Sequence, residues 1–460
     1  MRKYVLVAIS IALFSTAFAE GSTHAAQIQT GGSCNKLNMT STYSGNKFQC
    51  VKSGKKMLWK LIGPVSTKAT PSPSPSSSST PTPTPSPSPS SSPSPIKTEN
   101  TSLTACKLQV LDGRGDVAIG GFPRISDRLK SLGKVITKVI FVDFSDQRAV
   151  MSPEDAFAKV KQSADLFTEL SYSRMQFTFE PTFKWYHMSG TAKSYAPLNQ
   201  SFAHQRGYMA EAISMADPEV DFSKADAILI LANPDARDTG TSGPAFTPIF
   251  GSGFFLDGNY ISNGATSAYD LNNWKYIWLN HEFGHTLGLV DLYAFKPEDS
   301  TNPYDYHRFV GEFSLMGLSS LDSNSPGYLA WERWLLGWVD DSQIYCMNEQ
   351  STSQLINPVE RSGGLKAVIV PISTSKVVVV ESRRAEGVDK NLKKSGALVY
   401  VVDSSIQSGY GPVKVFPADR SDPRRLQSPR AEGESVTVEG VTITVKKSSS
   451  DGDLVEVKRA

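Results

Sequence analysis

The sequence predicts an α+β fold: a mixed sheet with helices, then an all-β sandwich-like region, preceded by a small disulfide-stapled N-terminal module. Three observations carry this expectation. Between about residues 100 and 350, runs rich in Val and Ile alternate with segments of helical period. After about residue 350, short β-prone runs recur between turn residues. Residues 71–95 are almost entirely Pro, Ser and Thr, and they set apart a front segment that carries Cys34 and Cys50.

Each element can be justified in chain order. The front module covers residues 27–65, where two cysteines with Tyr43, Phe48 and Trp59 suit a unit too small to stand on an apolar core alone. Residues 66–99 read as a disordered linker. Within them, residues 71–95 offer no apolar groups to offset their ordering entropy, and their Pro content favours an extended chain open to O-glycosylation. Residues 134–144 read as a strand, and residues 153–170 as helical, started by Ser152-Pro153-Glu154-Asp155. Residues 175–188 alternate and are rich in Phe, Thr, Trp and Tyr, which predicts a second strand. A helix is expected at 204–215, a buried strand at 225–231, and an edge strand with a loop within 244–262. These elements make up a domain spanning 100–350. In a last domain, 351–460, the runs 367–371, 376–381, 397–403, 435–437, 441–446 and 454–458 fit a sandwich.

A chain of 460 residues has room for two or three domains. Its net charge of +2 gives no basic field that would point to nucleic acid. Past the N-terminus no apolar run approaches the roughly 20 residues needed to cross a bilayer, so an integral membrane protein is not expected. The start itself has the form of a signal peptide over residues 1–19: Arg2 and Lys3, an apolar run at 5–14, then Ala17-Phe18-Ala19. Cleavage after Ala19 would make the chain secreted and extracellular. Four cysteines fit an oxidising compartment. Of the three pairings open to them, the linker between the two sets favours Cys34–Cys50 and Cys106–Cys346.

The informative segment is His281-Glu282-Phe283-Gly284-His285. Residues four apart on a helix lie about 40° apart around the axis and about 6 Å along it, so both imidazoles can reach one ion. Neutral imidazole is a good zinc ligand. Glu282 lies off the His–His line and can reach a water without occupying the metal, the role of a general base. The chain has only six His, and such a string arises by chance in roughly one chain of this kind in a hundred. The residues therefore point to a hydrolase that uses Zn2+.

The string continues Thr286-Leu287-Gly288-Leu289-Val290-Asp291. Gly288 can take a positive φ, end the helix and turn the chain back, which places Asp291 where a third ligand is needed. His307 and Glu312 are the other candidates for that role. The pattern H-E-x-x-H-x-x-G-x-x-D is similar to the metzincin pattern, with Asp for the last His. Metzincins also carry a Met turn beneath the metal, and Met316 in Ser314-Leu315-Met316-Gly317 stands at a suitable distance.

His281 to Tyr293 resembles the immune inhibitor A-like M6 metallopeptidases. So do Ser325-Pro326-Gly327, Ala330-Trp331 and Leu335-Leu336-Gly337-Trp338-Val339, and, upstream, Leu170-Ser171-Tyr172-Ser173 and Trp185-Tyr186. The resemblance spans about residues 100–460 and is sharp only in the helix motif. It implies a metzincin-like zinc-protease domain followed by a β-sandwich. Onto this chain it carries His281, His285 and Asp291 as metal ligands and Glu282 as the catalytic residue. The family often has Pro where this chain has Val290, and an acidic residue where it has Ala294, so the turn and any Ca2+ site beside it depart from the pattern. Tyr304, Tyr306, His307 and Tyr328 lie between the two helix motifs and are candidates to stabilise an oxyanion.

The leading expectation is a secreted zinc metalloendopeptidase acting on extracellular proteins. A zinc hydrolase of another substrate class and a non-catalytic surface-binding protein are the alternatives. The intact Glu282 argues against the last. The front module resembles small Cys-Cys modules attached to secreted bacterial enzymes. Contact with a surface or polymer, or a spacer role, would fit it equally.

Overall fold

The computed structural model describes residues 37, 40–43, 46–53, 56–64, 103–109, 121–125, 127–247, 252–320, 322–323 and 325–460. The signal-peptide segment, the Pro/Ser/Thr linker and Cys34, hence the expected Cys34–Cys50 pair, lie outside them. The chain divides into two compact units, 1–95 and 96–460. In the first unit, β1 (Thr40–Tyr43), β2 (Asn46–Ser53) and β3 (Lys56–Pro64) form an antiparallel meander.

The second unit is mixed α and β. It opens with a five-stranded sheet built from β4 (Gly133–Asp143), β5 (Met175–His187), β6 (Ala227–Ala232), β7 (Ala245–Phe246) and β10 (Gly264–Thr266). The order is β5-β4-β6-β10-β7. All pairs are parallel except β10 with β7, which closes the sheet as an antiparallel edge. A hairpin of β8 (Phe254–Leu256) and β9 (Asn259–Ile261) lies between β7 and β10 in the chain.

Alternation along the strands decides which helices cover which face. Val139, Phe141, Leu229 and Leu231 share a core with Phe167, Leu170 and Phe283. These last three come from α2 (Ser163–Leu170) and α6 (Tyr276–Thr286). Ile140, Val142, Ile228 and Ile230 point the other way, onto Met209, Ala212 and Ile213 of α4 (Phe202–Ala216). A sheet covered on both faces explains why β6 is an unbroken apolar run, Ala-Ile-Leu-Ile-Leu-Ala, buried throughout. The helical stretch expected at 153–170 is two helices, α1 (Pro153–Ala158) and α2, with a turn between them. Ser152 caps the first through the Asp155 amide. Two short helices, α3 (Ala192–Tyr195) and α5 (Leu271–Trp274), complete the set before α6.

After α7 (Ala330–Leu335) the chain is all β. One sheet has the order β11-β13-β14-β15-β16, from Ile344–Cys346, Ala367–Pro371, Lys376–Arg383, Gly396–Asp403 and Val413–Phe416. The other is β12-β19-β18-β17, from Ser351–Ile356, Gly452–Arg459, Val441–Ser449 and Ser435–Val438. Val378, Val380 and Val399 face Ile443, Val455 and Val457 between the sheets. The alternate residues Val377, Val379, Leu398 and Tyr400 face away and join the core that holds α2, α6 and α7. The first sandwich sheet is thus a shared wall, and residues 96–460 form one unit. Cys106 and Cys346 are joined in a disulfide, with 5.9 Å between their Cα atoms. Among the described residues no helix is long and apolar enough to cross a membrane.

Candidate metal centre

Helix α6 is fixed from below. Phe283 packs edge-on against Phe177, with ring centroids 4.9 Å apart. Asn280 donates to the Ser163 carbonyl at 3.0 Å, and the buried Tyr328 hydroxyl donates to the Asn280 carbonyl at 2.8 Å. With Leu279 and Phe283 in the core, helical spacing turns His281, Glu282 and His285 to the opposite side.

The helix ends at a glycine. Gly288 has φ +97°, a conformation that L side chains rarely adopt. Its amide donates to the His285 carbonyl and the Leu289 amide to the Gly284 carbonyl, both at 2.9 Å, the paired bonds of a Schellman motif. Arg124 Nη1 caps the Leu287 carbonyl at 3.0 Å, which suits the negative end of the helix dipole. The reversed chain then brings Asp291 to the two imidazoles.

Asp291 Oδ1 stands 3.2 Å from His281 Nε2 and 3.3 Å from His285 Nε2. It is buried yet in hydrogen-bonding geometry with neither ring. Ligands around a tetrahedral zinc ion with bonds of about 2.0–2.1 Å stand roughly 3.3–3.4 Å apart. The three atoms therefore have the spacing of one face of such a site, and the donor set of two imidazoles and a carboxylate suits zinc. Both rings are oriented for this. His281 Nδ1 pairs with the Leu315 carbonyl at 2.8 Å and His285 Nδ1 with the Leu289 carbonyl at 3.0 Å. A carbonyl accepts only from an N–H, so the proton of each neutral ring sits on Nδ1 and the Nε2 lone pair is left for a metal. Among the described residues no other group of three His, Cys, Asp or Glu side chains converges in this way.

The three side chains are electrostatically coupled. Burial disfavours an imidazolium at His285, but Asp291 overrides it and raises the ring to about 9. His281 moves the same way against the same burial. Burial also works to raise Asp291, yet the imidazoles hold its carboxyl well below the usual carboxylate range. Glu282 is pushed up by burial, with the two imidazoles pulling against it. Its Oε2 accepts from the Ala245 amide on edge strand β7 at 2.7 Å.

Met316 lies directly under the helix. A Cβ on Gly284 would fall 2.6 Å from its sulfur, so a larger residue there would force the Met316 side chain to move. The same turn ties the ligands together. The Leu315 carbonyl holds His281, and the Met316 carbonyl accepts from the Leu292 amide at 2.7 Å, one residue past Asp291. Ser314 Oγ caps the turn at the Met316 amide and donates to Glu332 of α7.

The other candidates fall elsewhere. Glu312 pairs with Arg424, and His307 Nδ1 pairs with the Gly317 carbonyl; neither joins the cluster. Tyr328 is a packing residue beneath α6, and Tyr304 lies under the Arg424 guanidinium. The phenol beside the centre is Tyr293, whose ring centroid is 6.3 Å from that of His281. Burial raises its pKa well above the usual phenol value, and the nearby Asp291 and Glu282 carboxylates add to this. A second group that sequence reasoning missed comes from the loop between β15 and β16. Ser408 Oγ accepts from the Asp291 amide at 3.0 Å, and the Gly409 amide donates to the Asp291 carbonyl at 3.1 Å. No local signal marks a clamp that is 117 residues away in the chain.

No protein-family model matches this chain, and no curated protein matches it.

Proposed function

We propose that the chain is a secreted zinc-dependent metalloendopeptidase of the M6-like, metzincin-like kind, with His281, His285 and Asp291 as ligands and Glu282 as general base. The observation that carries this reading is the convergence of the three candidate ligand atoms to within 4.8 Å, next to the half-buried Glu282 carboxylate. The helix ended by Gly288 and the turn at Met316 beneath it support the metzincin-like assignment. A disulfide inside the second unit supports an oxidising, extracellular compartment.

Zinc, when bound, supplies Lewis acidity that polarises a carbonyl and acidifies water. The chain's own groups do the rest. The Ala245 amide holds Glu282 Oε2, so Oε1 is the oxygen that would take a proton from the attacking water and pass it to the leaving amine. Tyr293 is placed to donate a hydrogen bond to an oxygen developing negative charge near His281. Strand β7 ends the sheet among the described residues, so an extended peptide adding to that edge would run past Glu282.

The test is metal content measured together with proteolysis. The purified chain should hold one zinc ion, cleave casein or gelatin, lose both on chelation and regain both when zinc is returned. Full cleavage by the chelated protein, or a folded protein that never takes up zinc, would refute the proposal.

A further inference from the structure

A pocket of about 590 Å³ lies in the groove between residues 296–298, Arg308-Phe309 and the loop after β15. Its wall residue Gly409 is the one whose amide bonds the Asp291 carbonyl, and Gly409 O in turn accepts from the Phe295 amide at 3.1 Å. Aromatic rings link His281 to the pocket wall: His281 to Tyr293 at 6.3 Å, Tyr293 to Phe295 at 5.5 Å, and Phe295 to Tyr410 at 6.1 Å between centroids. Tyr410 is 63 % exposed, an unusual position for a ring with nothing to cover it.

Lys296, Arg308 and Lys414 line this pocket together with one carboxylate, Glu298. Arg308 is already held from behind, its Nη1 3.0 Å from Asp305 Oδ2, so the cations left without a carboxylate are the two lysines. The Glu298 carboxylate is shared, 3.4 Å from Arg308 Nε and 3.7 Å from Arg420 Nη2. Arg308 Nε is buried and meets no acceptor in hydrogen-bonding geometry. Lys414 Nζ and the Arg308 guanidinium both lie near the Phe309 ring, at 5.7 and 4.6 Å from its centroid. Among the described residues neither Lys296 nor Lys414 is in an ion pair with a carboxylate. Cations gathered on an aromatic floor, two of them lysines with no carboxylate partner among the described residues, are suited to bind a carboxylate.

We infer that this pocket is a specificity subsite, and that the enzyme prefers polypeptides with a Glu or Asp side chain close to the scissile bond. The inference rests on the peptidase reading above. A polypeptide running from the centre past Gly409 and Tyr410 would bring a side chain to this pocket, where Lys296 and Lys414 receive its carboxylate. A neutral amide of the same shape would not balance these cations, and sites built to pair with a group discriminate strongly against its absence. Because Lys296 is exposed, part of the preference should fade with salt.

The test uses the zinc-loaded full chain and peptides with Gln scanned through the positions flanking one cleavage site, each with a Glu twin. At one position the Glu peptide should have a kcat/KM at least tenfold above its Gln twin. In the Lys296→Ala/Lys414→Ala double variant that ratio should fall below threefold, and Lys296→Arg/Lys414→Arg should restore it. The ratio is taken within one protein, so differences in folding or zinc content cancel. A ratio near one at every position, or one unchanged in the alanine variant, overturns the inference and leaves the peptidase reading standing. If no peptide is cleaved, the peptidase reading fails. Fluorescence anisotropy of the same labelled pairs then decides the pocket: Glu peptides binding no more tightly than Gln twins would overturn it.

Discussion

Glu282 is anchored by one oxygen and lies next to, but not among, the three atoms that face a common point. In the proposed mechanism this separates catalysis from metal binding at single residues. Glu282→Gln keeps the shape and can still accept from Ala245, but it cannot take a proton. Proteolysis should fall at least about a hundredfold, the usual scale of a lost general base. Zinc content should stay at the wild-type level, and near wild-type turnover would sink the mechanism. Asp291→Ala makes the opposite split. It leaves two imidazoles, fewer than the three protein ligands usual for catalytic zinc. Zinc affinity measured against a competing chelator should drop by well over tenfold, with Asp291→His recovering part of it. The convergence of His281, His285 and Asp291, with Glu282 beside them, was legible in the sequence because the four lie within eleven positions on one helix and its turn. The carbonyls of Leu315 and Leu289 and the Ser408-Gly409 clamp were not, since backbone acceptors and distant loops carry no residue-type signature.

Between residue and fold stands the helix–turn unit, α6 with its Gly288 end and the Met316 turn under it. Gly288→Ala tests the turn. A Cβ there would meet only Arg124 and Arg128 side-chain carbons at 3.5 Å, so space is not the obstacle; the positive φ is. The cost should be about 1–2 kcal/mol in urea unfolding, with weakened zinc binding as the turn shifts Asp291. Unchanged stability and affinity would mean that the glycine is dispensable. Helix α7 braces the same turn through Glu332, which is 4 % exposed. Burial pushes its carboxyl from 4.5 up to about 7, against hydrogen bonds from the Leu329 amide and Ser314 that favour the charged form. The folded state therefore holds this proton more tightly than the unfolded chain. The associated stability is fully present below pH 4.5 and is lost as pH rises towards 7. Glu332→Gln should remove that part of the slope in urea midpoints measured between pH 4.5 and 7; a slope as steep as wild type would contradict the assignment. Elements with strong apolar runs, such as β4, β6, β13 and β15, were legible. The edge strand expected within 244–262 is the two-residue β7; the Ser- and Thr-rich β12 was not legible, because pairing rather than composition defines it.

Across the whole molecule, the sequence pattern divides near residue 350, but the packing does not. The first sandwich sheet begins at Ile344 and has Val377, Val379 and Tyr400 in the core that also holds α6. Its residues Glu381 and Arg383 are fully buried against α7 and Asp389: Glu381 accepts from the Ala330 amide at 2.7 Å, and Arg383 donates to Asp389 at 2.6 Å. Continuous runs such as Lys-Val-Val-Val-Val suit a strand buried on both faces, but the partner of the second face cannot be read from the run itself. Cys106–Cys346 closes this unit across 240 residues, from the segment before β4 to the first strand of the sandwich. Loop-closure entropy for so long a loop gives roughly 5 kcal/mol, and native disulfides typically contribute about 2–5 kcal/mol. Strand β11 is also held by its parallel pairing with β13, so removing the bond should not release it. The Cys106→Ser/Cys346→Ser protein should therefore unfold at lower urea by about 2–5 kcal/mol. Its zinc stoichiometry and cleavage rate in the absence of denaturant should remain near wild type. If zinc binding failed in the folded double variant, the disulfide would be positioning the metal helix rather than restraining the unfolded chain, and the shared core would not be what joins the two halves.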